Sequence, residues 1–523
     1  MKISKLVFTA AISLLTINLA SANIGNTVNT KNGKIEGYLS ADKQLSIFKG
    51  IPFAEPPVDE LRWQKPQEIK KWHNVKETKT FSAGCMQTVI DGDKLPWSKE
   101  FLHQGPISED CLYLNVWSPA NHKNDKLPVM IWIYGGGFIE GSANVPLYDG
   151  ANLASNGVVF VTFNYRVGAF GFFEHPELTK EQGTSGNYGL YDQLAAIKWV
   201  KQNIAEFGGD PNNITIMGQS AGANSITALI ASPLSKGLFQ KAIIESGPGT
   251  TISDYGIRPL QKAATPLKDA EKLVLNWSQN NGYSSLEALR AAPADELMNK
   301  FNKKPPVKGY VIDGVFLPES IPAIYAKGEQ NEVPVIAGMN RDERGSEKDY
   351  GKMTLKEYQS YAEKYYPYNK QQFLLTYPAQ NNQEAGEQQK QILRDERLFN
   401  LYWLANARMS KNNAKNYLYY FDRAIPWPEH PEYGAFHSSE FVYVLQNQDK
   451  LARNWTPLDQ KISSVIGQYW VNFAKTGNPN GGDLPDWKPI NESNGEVMVF
   501  GNEIEMKKVL SNKKSVIIAE KVN

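Results

Sequence analysis

The sequence predicts an α/β fold in which a mostly parallel central sheet is covered by helices on both faces. Short apolar runs rich in β-branched and aromatic residues at 127–133 and 158–163 are typical of buried strands. Residues 190–207 carry apolar side chains at helical spacing, and short apolar runs follow at 214–217 and 241–245. Strands that alternate with helices are expected to pair in parallel, because each helix returns the chain to the same end of the sheet.

The second half of the chain predicts large helical and loop excursions around this sheet. Residues 253–302 have helical character interrupted by turn residues, and strands are expected at 333–337 and 417–421. An amphipathic helix is expected at 462–475, where a glycine and a proline soon follow. No internal repeat or long linker divides the chain, so we expect a single domain over residues 23–523.

Length and composition exclude several classes of protein. The 523 residues include 56 Lys and Arg against 55 Asp and Glu, and the two signs alternate along the chain. A net charge of +1 supplies no field to attract nucleic acid or an anionic membrane, so neither is predicted as a partner. With 41% hydrophobic residues, the chain is also unlike a disordered or collagen-like sequence.

The N-terminus has the pattern of a secretory signal peptide that is cleaved after residue 22. Lys2 and Lys5 precede an uncharged, apolar-rich stretch over 6–19, and Ala20-Ser21-Ala22 supplies small residues for cleavage. A buried helix or a membrane anchor is the alternative, but the stretch is shorter than the ~20 residues that span a bilayer. We therefore expect export to the periplasm or the medium, without an integral membrane anchor.

The two cysteines become interpretable once export is expected. Cys85 and Cys111 are the only cysteines of the chain. In an oxidising compartment such a pair is expected to form a disulfide. Two buried free thiols are the alternative, whereas a metal site is disfavoured because no histidine or third cysteine lies at ligand spacing.

The sequence Gly218-Gln-Ser-Ala-Gly222 predicts a nucleophile elbow centred on Ser220. It follows the predicted strand at 214–217 and precedes a helix-permissive run. A sharp strand-to-helix turn projects such a serine above the sheet, and glycines are needed where Cβ atoms would clash. The G-x-S-x-G pattern alone is weak, and a tight turn between packed elements is the alternative. The strand–turn–helix context favours the nucleophile.

A serine needs a general base, and two histidines follow Ser220 in the chain. The α/β-hydrolases, which use this elbow, carry their partners in the order Ser, acid, His, and this order leaves His430 and His437. His430 lies between two prolines in a polar turn and is expected at the surface. His437 follows a glycine in a predicted loop, which favours it as the base.

The acid is expected after a strand and before the histidine. Asp342 and Glu343 both follow the predicted strand at 333–337. Either carboxylate could orient His437 and stabilise its protonated ring. The alternative is that both are solvated loop charges beside neighbouring arginines, and spacing alone does not separate Asp342 from Glu343.

A run of three glycines after the strand at 127–133 predicts an oxyanion hole. In Tyr134-Gly-Gly-Gly-Phe138 the missing side chains let backbone N–H groups turn toward a developing oxyanion. The amide of Ala221, directly after the serine, would complete the site. A phosphate-binding loop is excluded because the run has neither a following Gly-Lys-Ser/Thr nor a Gly-x-Gly-x-x-Gly pattern.

Together these motifs resemble the type-B carboxylesterase family, the cholinesterase-like branch of the α/β-hydrolases, over almost the whole mature chain. Further segments that carry the resemblance are Phe48-Lys-Gly-Ile-Pro-Phe-Ala54, Glu109-Asp-Cys-Leu-Tyr-Leu-Asn-Val116, 186–192, 207–211 and 473–480. The resemblance implies the α/β-hydrolase fold and a serine carboxylesterase that needs no metal or cofactor. It also supports the pairing of Cys111 with Cys85.

Position by position, the resemblance implies a role for each site residue. The residues are Ser220 as nucleophile, His437 as general base, Glu343 as acid, Gly136, Gly137 and Ala221 as oxyanion donors, and Ser246 as a serine behind the triad. Glu343 is thereby favoured over Asp342.

Three positions depart from the family pattern. Gln219 stands where the family very often has glutamate before the nucleophile, which should weaken any preference for cationic substrates. Arg344 interrupts the usual acid–glycine pair, so that Gly345 lies one position late. Trp97 is the only tryptophan between the two cysteines, and we expect it to pack the loop rather than to bind choline. A general esterase is therefore favoured over a choline esterase.

The sequence thus predicts an exported serine carboxylesterase that hydrolyses small-molecule esters with short to medium acyl groups through an acyl-enzyme. A binding protein that keeps the fold without the chemistry would be expected to lose the nucleophile, which this chain keeps. A hydrolase of amides or carbamates would use the same triad and stays open. The sequence does not indicate an oligomeric state.

Overall fold

The computed structural model describes residues 24–247, 264–409, 414–490 and 495–521. The predicted signal peptide and the first part of the predicted helical region 253–302 lie outside these residues. Within them, eleven strands form one large sheet. In chain order these are β1 (Tyr38–Leu39), β2 (Ser46–Pro52), β3 (Tyr113–Ser118), β4 (Leu127–Ile133), β5 (Val159–Phe163), β6 (Gly209–Gln219), β7 (Lys241–Glu245), β8 (Val335–Asn340), β9 (Asn416–Phe421), β10 (Val497–Phe500) and β11 (Ile504–Lys507).

The spatial order of the strands is β11-β10-β9-β8-β7-β6-β4-β5-β3-β2-β1. Strands β4 to β10 pair in parallel, whereas β1, β2, β3 and β11 join the two edges in antiparallel pairs. Strand β4 lies between β5 and β6, so the strand order reverses at this point. The carboxyl ends of β4 and β6 are therefore neighbours, and such a reversal is where open α/β sheets form their sites.

Helices surround the sheet. Among the described residues they are α1 (Ala151–Ala154), α2 (Gly168–Gly171), α3 (Pro176–Gln182), α4 (Tyr188–Asn203), α5 (Ala221–Ala231), α6 (Leu267–Asn280), α7 (Leu286–Ala291), α8 (Ala294–Lys303), α9 (Ile321–Lys327), α10 (Leu355–Tyr365), α11 (Lys370–Thr376), α12 (Asn382–Met409), α13 (Phe441–Val444), α14 (Pro457–Thr476) and α15 (Asn512–Ala519). Helices α5, α9 and α12 contact one another in one layer, and α13 packs on α14 in another.

The two layers lie on opposite faces of the sheet, as adjacent residues of β7 show. Ile244 lines a small cavity together with Thr227 of α5 and Leu401 of α12. The next residue, Glu245, accepts a hydrogen bond from Trp470 of α14 at 2.8 Å. Because successive side chains of a strand point to opposite faces, both faces of the central sheet are covered by helices.

Several sequence-based element predictions are confirmed. Strands β4 and β7 have the predicted bounds, and α14 contains the predicted helix 462–475 and ends at Gly477 with φ +78°. Other predictions need correction. Helix α4 stops at Asn203, where a 3-10 turn takes over, and β8 begins two residues later than predicted and runs to Asn340.

The helical character with interspersed turns that was predicted for residues 253–302 is confirmed for the described part of this region. The described part holds three separate helices, α6, α7 and α8, joined by short turns. The segment 208–211, expected to stop a helix, also leads into β6, which begins at Gly209. Gly209 pairs with Leu127 of β4, and a register shift separates this pair from the next, Ile214 with Val129.

The disulfide between Cys85 and Cys111 is confirmed. Their Cα atoms are 5.0 Å apart and the sulfur atoms are bonded at 2.03 Å. Both residues are fully buried. The bond closes a loop of residues 85–111, here called the disulfide loop, over the end of the sheet where β4 and β6 finish.

Within the described ranges, no helix is both long enough and apolar enough to cross a membrane.

Candidate active site

Ser220 lies at a sharp turn between β6 and α5. Its backbone has φ +57° and ψ −120°, a conformation that non-glycine residues rarely adopt. The Ser220 N–H donates to the carbonyl of Glu245 at 3.0 Å, which ties the turn to the end of β7. The serine is thus held at the carboxyl edge of the parallel strands.

The glycines of the G-x-S-x-G pattern are required by close backbone contacts. A Cβ atom at Gly218 would lie 2.3 Å from the carbonyl oxygen of Ile133 in β4, and one at Gly222 would lie 1.9 Å from it. Real Cβ atoms do not approach backbone oxygen so closely, because the overlap is strongly repulsive. The pattern therefore reflects the tight packing of the turn against β4.

His437 lies in the loop between β9 and α13 and contacts Glu343. Its Nδ1 is 2.5 Å from Glu343 Oε2. Glu343 follows β8, and its other oxygen accepts the N–H of Asn340 at 2.9 Å. The guanidinium of Arg397, on α12, lies 3.5 Å from Glu343 Oε2.

The charge on Glu343 is stabilised although its side chain is only 2% exposed. Burial by itself would raise the pKa of this carboxyl. The charges of Arg397 and His437 and the hydrogen bonds to His437 and Asn340 outweigh it and lower the pKa to about 2. Glu343 is therefore an anion throughout the neutral range and can accept a hydrogen bond from Nδ1–H of His437.

The opposite ring nitrogen of His437 faces the nucleophile turn. Its Nε2 lies 3.3 Å from the side-chain nitrogen of Gln219. With a proton on Nδ1, Nε2 accepts this hydrogen bond. Ser220 and His437 line the same cavity, but no hydrogen bond joins the Ser220 hydroxyl to His437 in this structure. Such contacts often form only once substrate binds.

The glycine run after β4 turns its backbone toward the same cavity. Gly136 and Gly137 have φ +110° and +63°, in the left-handed region that glycine tolerates. A Cβ at Gly136 would lie 2.1 Å from the carbonyl oxygen of Glu140. Among the described residues, none accepts a hydrogen bond from the amides of Gly136, Gly137 or Ala221. All three amides are available to an oxyanion.

These groups border a cavity of about 260 Å³. Its lining is largely apolar and includes Ile90, Trp97, Leu102, Ile139 and Phe441. The disulfide loop supplies one wall, through Gln87, Thr88, Ile90, Lys94, Trp97, Phe101, Leu102 and His103. Lys94 and Glu140 form an ion pair at 3.0 Å on this lining, so their charges neutralise each other. The cavity suits an uncharged, mainly apolar ligand.

Ser246 belongs to a buried polar cluster behind Glu343. Its hydroxyl donates to Glu440 Oε1 at 2.6 Å, and Asn340 Nδ2 donates to Glu440 Oε2 at 2.5 Å. Burial and the charge of nearby Glu343 raise the pKa of Glu440 to about 7. Ser246 thus contacts neither Ser220 nor His437 directly but supports their surroundings through Glu440.

Sequence reasoning missed Glu440, Asn340 and Arg397. Glu440 directly precedes the apolar run 441–445. A carboxyl group beside such a run is unusual, and this could have indicated a buried functional residue. Asn340 lies two residues before Asp342 and carries no pattern of its own. Arg397 lies on a long helix far away in the chain, and nothing in the local sequence indicates its approach to Glu343.

Asp342, the other candidate acid, faces away from the His437 ring and holds its loop instead. Its backbone N–H donates to the carbonyl of Ala435, and its side-chain Oδ2 accepts the N–H of Ala435, both at 3.0 Å. It also forms ion pairs with Arg341 at 2.8 Å and Arg394 at 2.5 Å. These charges keep the pKa of Asp342 below its ordinary value although burial opposes them.

The remaining candidates lie as follows. Trp97 donates from its indole N–H to the carbonyl of His437 at 3.2 Å and packs against Phe436, so it anchors the disulfide loop as well as lining the cavity. Arg344 pairs with exposed Glu347 rather than with the site. His430 is paired with Glu432 at 3.0 Å and is not part of the cavity.

The parallel sheet, the serine at the strand–helix turn and the buried acid–histidine pair define an α/β-hydrolase of the serine type. The model of the carboxylesterase family matches residues 25–517. The chain therefore belongs to the carboxylesterase family and is a serine hydrolase that acts on ester bonds.

Individual relatives cover most of the chain. Fumonisin B1 esterase of Sphingopyxis macrogoltabida is 36% identical over 91% of this chain and 86% of its own length. Para-nitrobenzyl esterase of Bacillus subtilis is 34% identical over 91% of this chain and 95% of its own. Mouse carboxylesterase 1E is 31% identical over 94% of this chain and 93% of its own. Bacterial and mammalian esterases thus match most of this chain.

Proposed function

We propose that this carboxylesterase hydrolyses carboxylic esters through a triad of Ser220, His437 and Glu343. The observation that carries the proposal is the 2.5 Å contact of His437 Nδ1 with buried Glu343, beside the cavity that Ser220 lines. An anionic Glu343 fixes the tautomer of His437 and leaves Nε2 as the proton acceptor. That nitrogen faces the turn that carries the serine.

The reaction proceeds in two acyl transfers. Ser220 Oγ attacks the ester carbonyl carbon while His437 Nε2 takes the hydroxyl proton and then gives it to the departing alkoxide. The alcohol leaves and the acyl group stays on Ser220. Water then attacks the acyl carbon while His437 Nε2 takes its proton. The bond between Ser220 Oγ and the acyl carbon breaks, His437 returns the proton to Ser220 Oγ, and the carboxylic acid is released.

Charge that develops on the carbonyl oxygen is stabilised by the amides of Gly136, Gly137 and Ala221. The left-handed backbone of both glycines and the free N–H groups support this role. Each such donor contributes about 3 kcal/mol to the transition state in comparable enzymes. Because these donors are backbone amides, their placement depends on the conformation that the glycines allow.

The preferred substrate is an uncharged ester with a short to medium acyl group. A cavity of about 260 Å³ with an apolar lining supports a modest acyl chain. Gln219 places a neutral amide, not a carboxylate, beside the nucleophile, so no anion there attracts a cationic alcohol group. Cationic esters are therefore expected to gain nothing over neutral esters of the same size.

Residues 1–22 are proposed to be a cleaved export signal, with residues 23–523 as the mature single-domain enzyme. The disulfide between Cys85 and Cys111 supports this, because such bonds persist in oxidising compartments. Sequencing the N-terminus of the protein recovered from the periplasm and from the medium tests the cleavage and separates the two destinations.

The triad is tested by covalent labelling with a fluorophosphonate, followed by peptide mass spectrometry. A single label on Ser220, with hydrolysis of p-nitrophenyl butyrate lost in Ser220→Ala, is the expected result. Thr88→Ala removes another hydroxyl from the same cavity and serves as the matched control that keeps both label and turnover. Label on another residue, or full turnover in Ser220→Ala, would overturn the proposal.

A further inference from the structure

A second concave surface lies along one face of helix α4 and shares no lining residue with the catalytic cavity. It is a groove of about 880 Å³ between α4 and the segment 65–71. On α4 the lining residues are Tyr191, Leu194, Ala195, Lys198, Trp199 and Gln202. Their spacing places them on a single helix face about 16 Å long, because each residue advances the helix by about 1.5 Å.

Apolar and polar surface line this groove in about equal parts. The apolar part, here called the floor, is formed by Leu194 and Trp199 of α4 together with Phe53 and Ile69. The groove also contains Leu234 and Val315, which are 38% and 39% exposed. Large aliphatic side chains left in contact with water at one concave site favour an apolar ligand.

The rim of the same groove is cationic. Lys31, Lys65, Lys71 and Lys198 line it, and Glu68 is the one carboxylate among its lining residues. None of the four lysines forms an ion pair with another described residue. Lys65 Nζ lies 5.0 Å from the centre of the Tyr191 ring, so the cation is held directly over the helix face. The net charge of these four lysines and one glutamate is +3, although the net charge of the whole chain is only +1.

We propose that this groove binds a free carboxylate with a long alkyl chain. An alkyl chain lies on the apolar face of α4 and the exposed aliphatic side chains, and its carboxylate is held by the rim lysines. A hydrophilic polyanion would leave the apolar floor uncovered. A flat membrane would not enter a concave groove.

Isothermal titration of the full-length mature protein with sodium dodecanoate, below its micellar concentration, tests the proposal. The test variant replaces Lys31, Lys65, Lys71 and Lys198 by glutamine. The matched control replaces four exposed lysines outside the groove, Lys180, Lys236, Lys356 and Lys461, by glutamine. Both variants are first checked for unchanged hydrolysis of p-nitrophenyl acetate, since no substituted residue lines the catalytic cavity.

Wild type and control variant are expected to bind dodecanoate with the same affinity, and the groove variant at least tenfold more weakly. Binding should also weaken with salt and be weaker for neutral dodecanol, which has the same chain length without the charge. Dodecanoate that binds equally well to the groove variant would occupy another place, such as the catalytic cavity, and would overturn the proposal. Absence of binding to wild type would overturn it as well. Neither result bears on the triad, whose test is the label on Ser220.

Discussion

Glu174 is a buried carboxyl whose ionisation should make the stability of this protein depend on pH. It follows α2, is fully buried, and neither carboxyl oxygen has a hydrogen-bond partner in another described residue. The Cγ atom of Glu174 packs directly against Gly186. A Cβ atom at position 186 would lie only 2.5 Å from it. Burial, with a further contribution from the charge of Glu271, raises the pKa of Glu174 to about 8.

The size of the effect follows from the two pKa values. In the unfolded chain the carboxyl titrates near its ordinary value of 4.5, and in the folded protein near about 8. Between these values the folded state binds more protons, so the free energy of unfolding falls as the pH rises. A difference of about 3.5 in pKa corresponds to about 5 kcal/mol lost across this window, as an upper value without relaxation around the charge.

The assay compares wild type with Glu174→Gln by urea unfolding at about pH 5 and about pH 9, with the disulfide intact. Glutamine keeps the shape of the neutral acid, so the two proteins should have similar stability at the lower pH. At the higher pH the variant should be more stable by several kcal/mol, because wild type then buries an unpaired charge.

The matched control is Glu287→Gln, an exposed carboxyl on α7. This helix lies near Glu174 in the fold, since the N–H of Leu286 donates to Glu177 at 3.3 Å. Its effect on the free energy of unfolding should be small and independent of pH. The argument about Glu174 is refuted if the difference between Glu174→Gln and wild type stays constant from about pH 5 to about pH 9. In that case the carboxyl finds a partner or reaches water in solution.

Three other perturbations test the site and its supports. Glu343→Gln should lower kcat about 10³- to 10⁴-fold, because a neutral amide no longer fixes the tautomer of His437. Steady-state kinetics on a variant with wild-type circular dichroism checks this, and a loss below tenfold would contradict it. Removing the disulfide in Cys85→Ala/Cys111→Ala should lower the free energy of unfolding by about 3.5 kcal/mol and raise KM, because the loop it closes forms a cavity wall. Urea unfolding and p-nitrophenyl butyrate kinetics measure both, and an unchanged KM would show that packing alone holds the loop. Asp342→Asn should lower kcat about 10- to 100-fold with little change in KM, because the loop of His437 loses its charged anchor. A change confined to KM would place the role of Asp342 in substrate binding.

The sequence was most informative where a single element is buried on both faces. Strands β4 and β7 have the bounds that were predicted, because a strand inside a parallel sheet is a continuous apolar run with polar residues at its ends. Strands β1 to β3, β10 and β11 were not predicted. The outermost strands, β1 and β11, are partly exposed and pair with one neighbour each, so their local pattern is weak. Strands β3 and β10 are buried but short, and a short apolar run does not by itself separate a strand from a helix.

The position of the serine turn was also readable from the sequence. The glycines at 218 and 222 are imposed by contacts with the adjacent strand, and these contacts recur wherever this turn is built. The choice between Asp342 and Glu343 could not be made from the local sequence. Local spacing left both candidates open, and only the resemblance to a family favoured Glu343. The structure separates them by direction, since Glu343 faces the ring of His437 and Asp342 faces the backbone of Ala435.

The sequence by itself therefore determined the fold class, the serine turn, the glycine run and the cysteine pair. The serine turn and the glycine run are local patterns, the fold class follows from the succession of such patterns, and the cysteine pair follows from the chain having two cysteines. Only the tertiary structure decided the approach of Arg397 to Glu343, the isolation of Glu174 and the cationic groove along α4. These features join elements that are far apart in the chain, and their electrostatics depend on burial, which arises only when distant surfaces pack together.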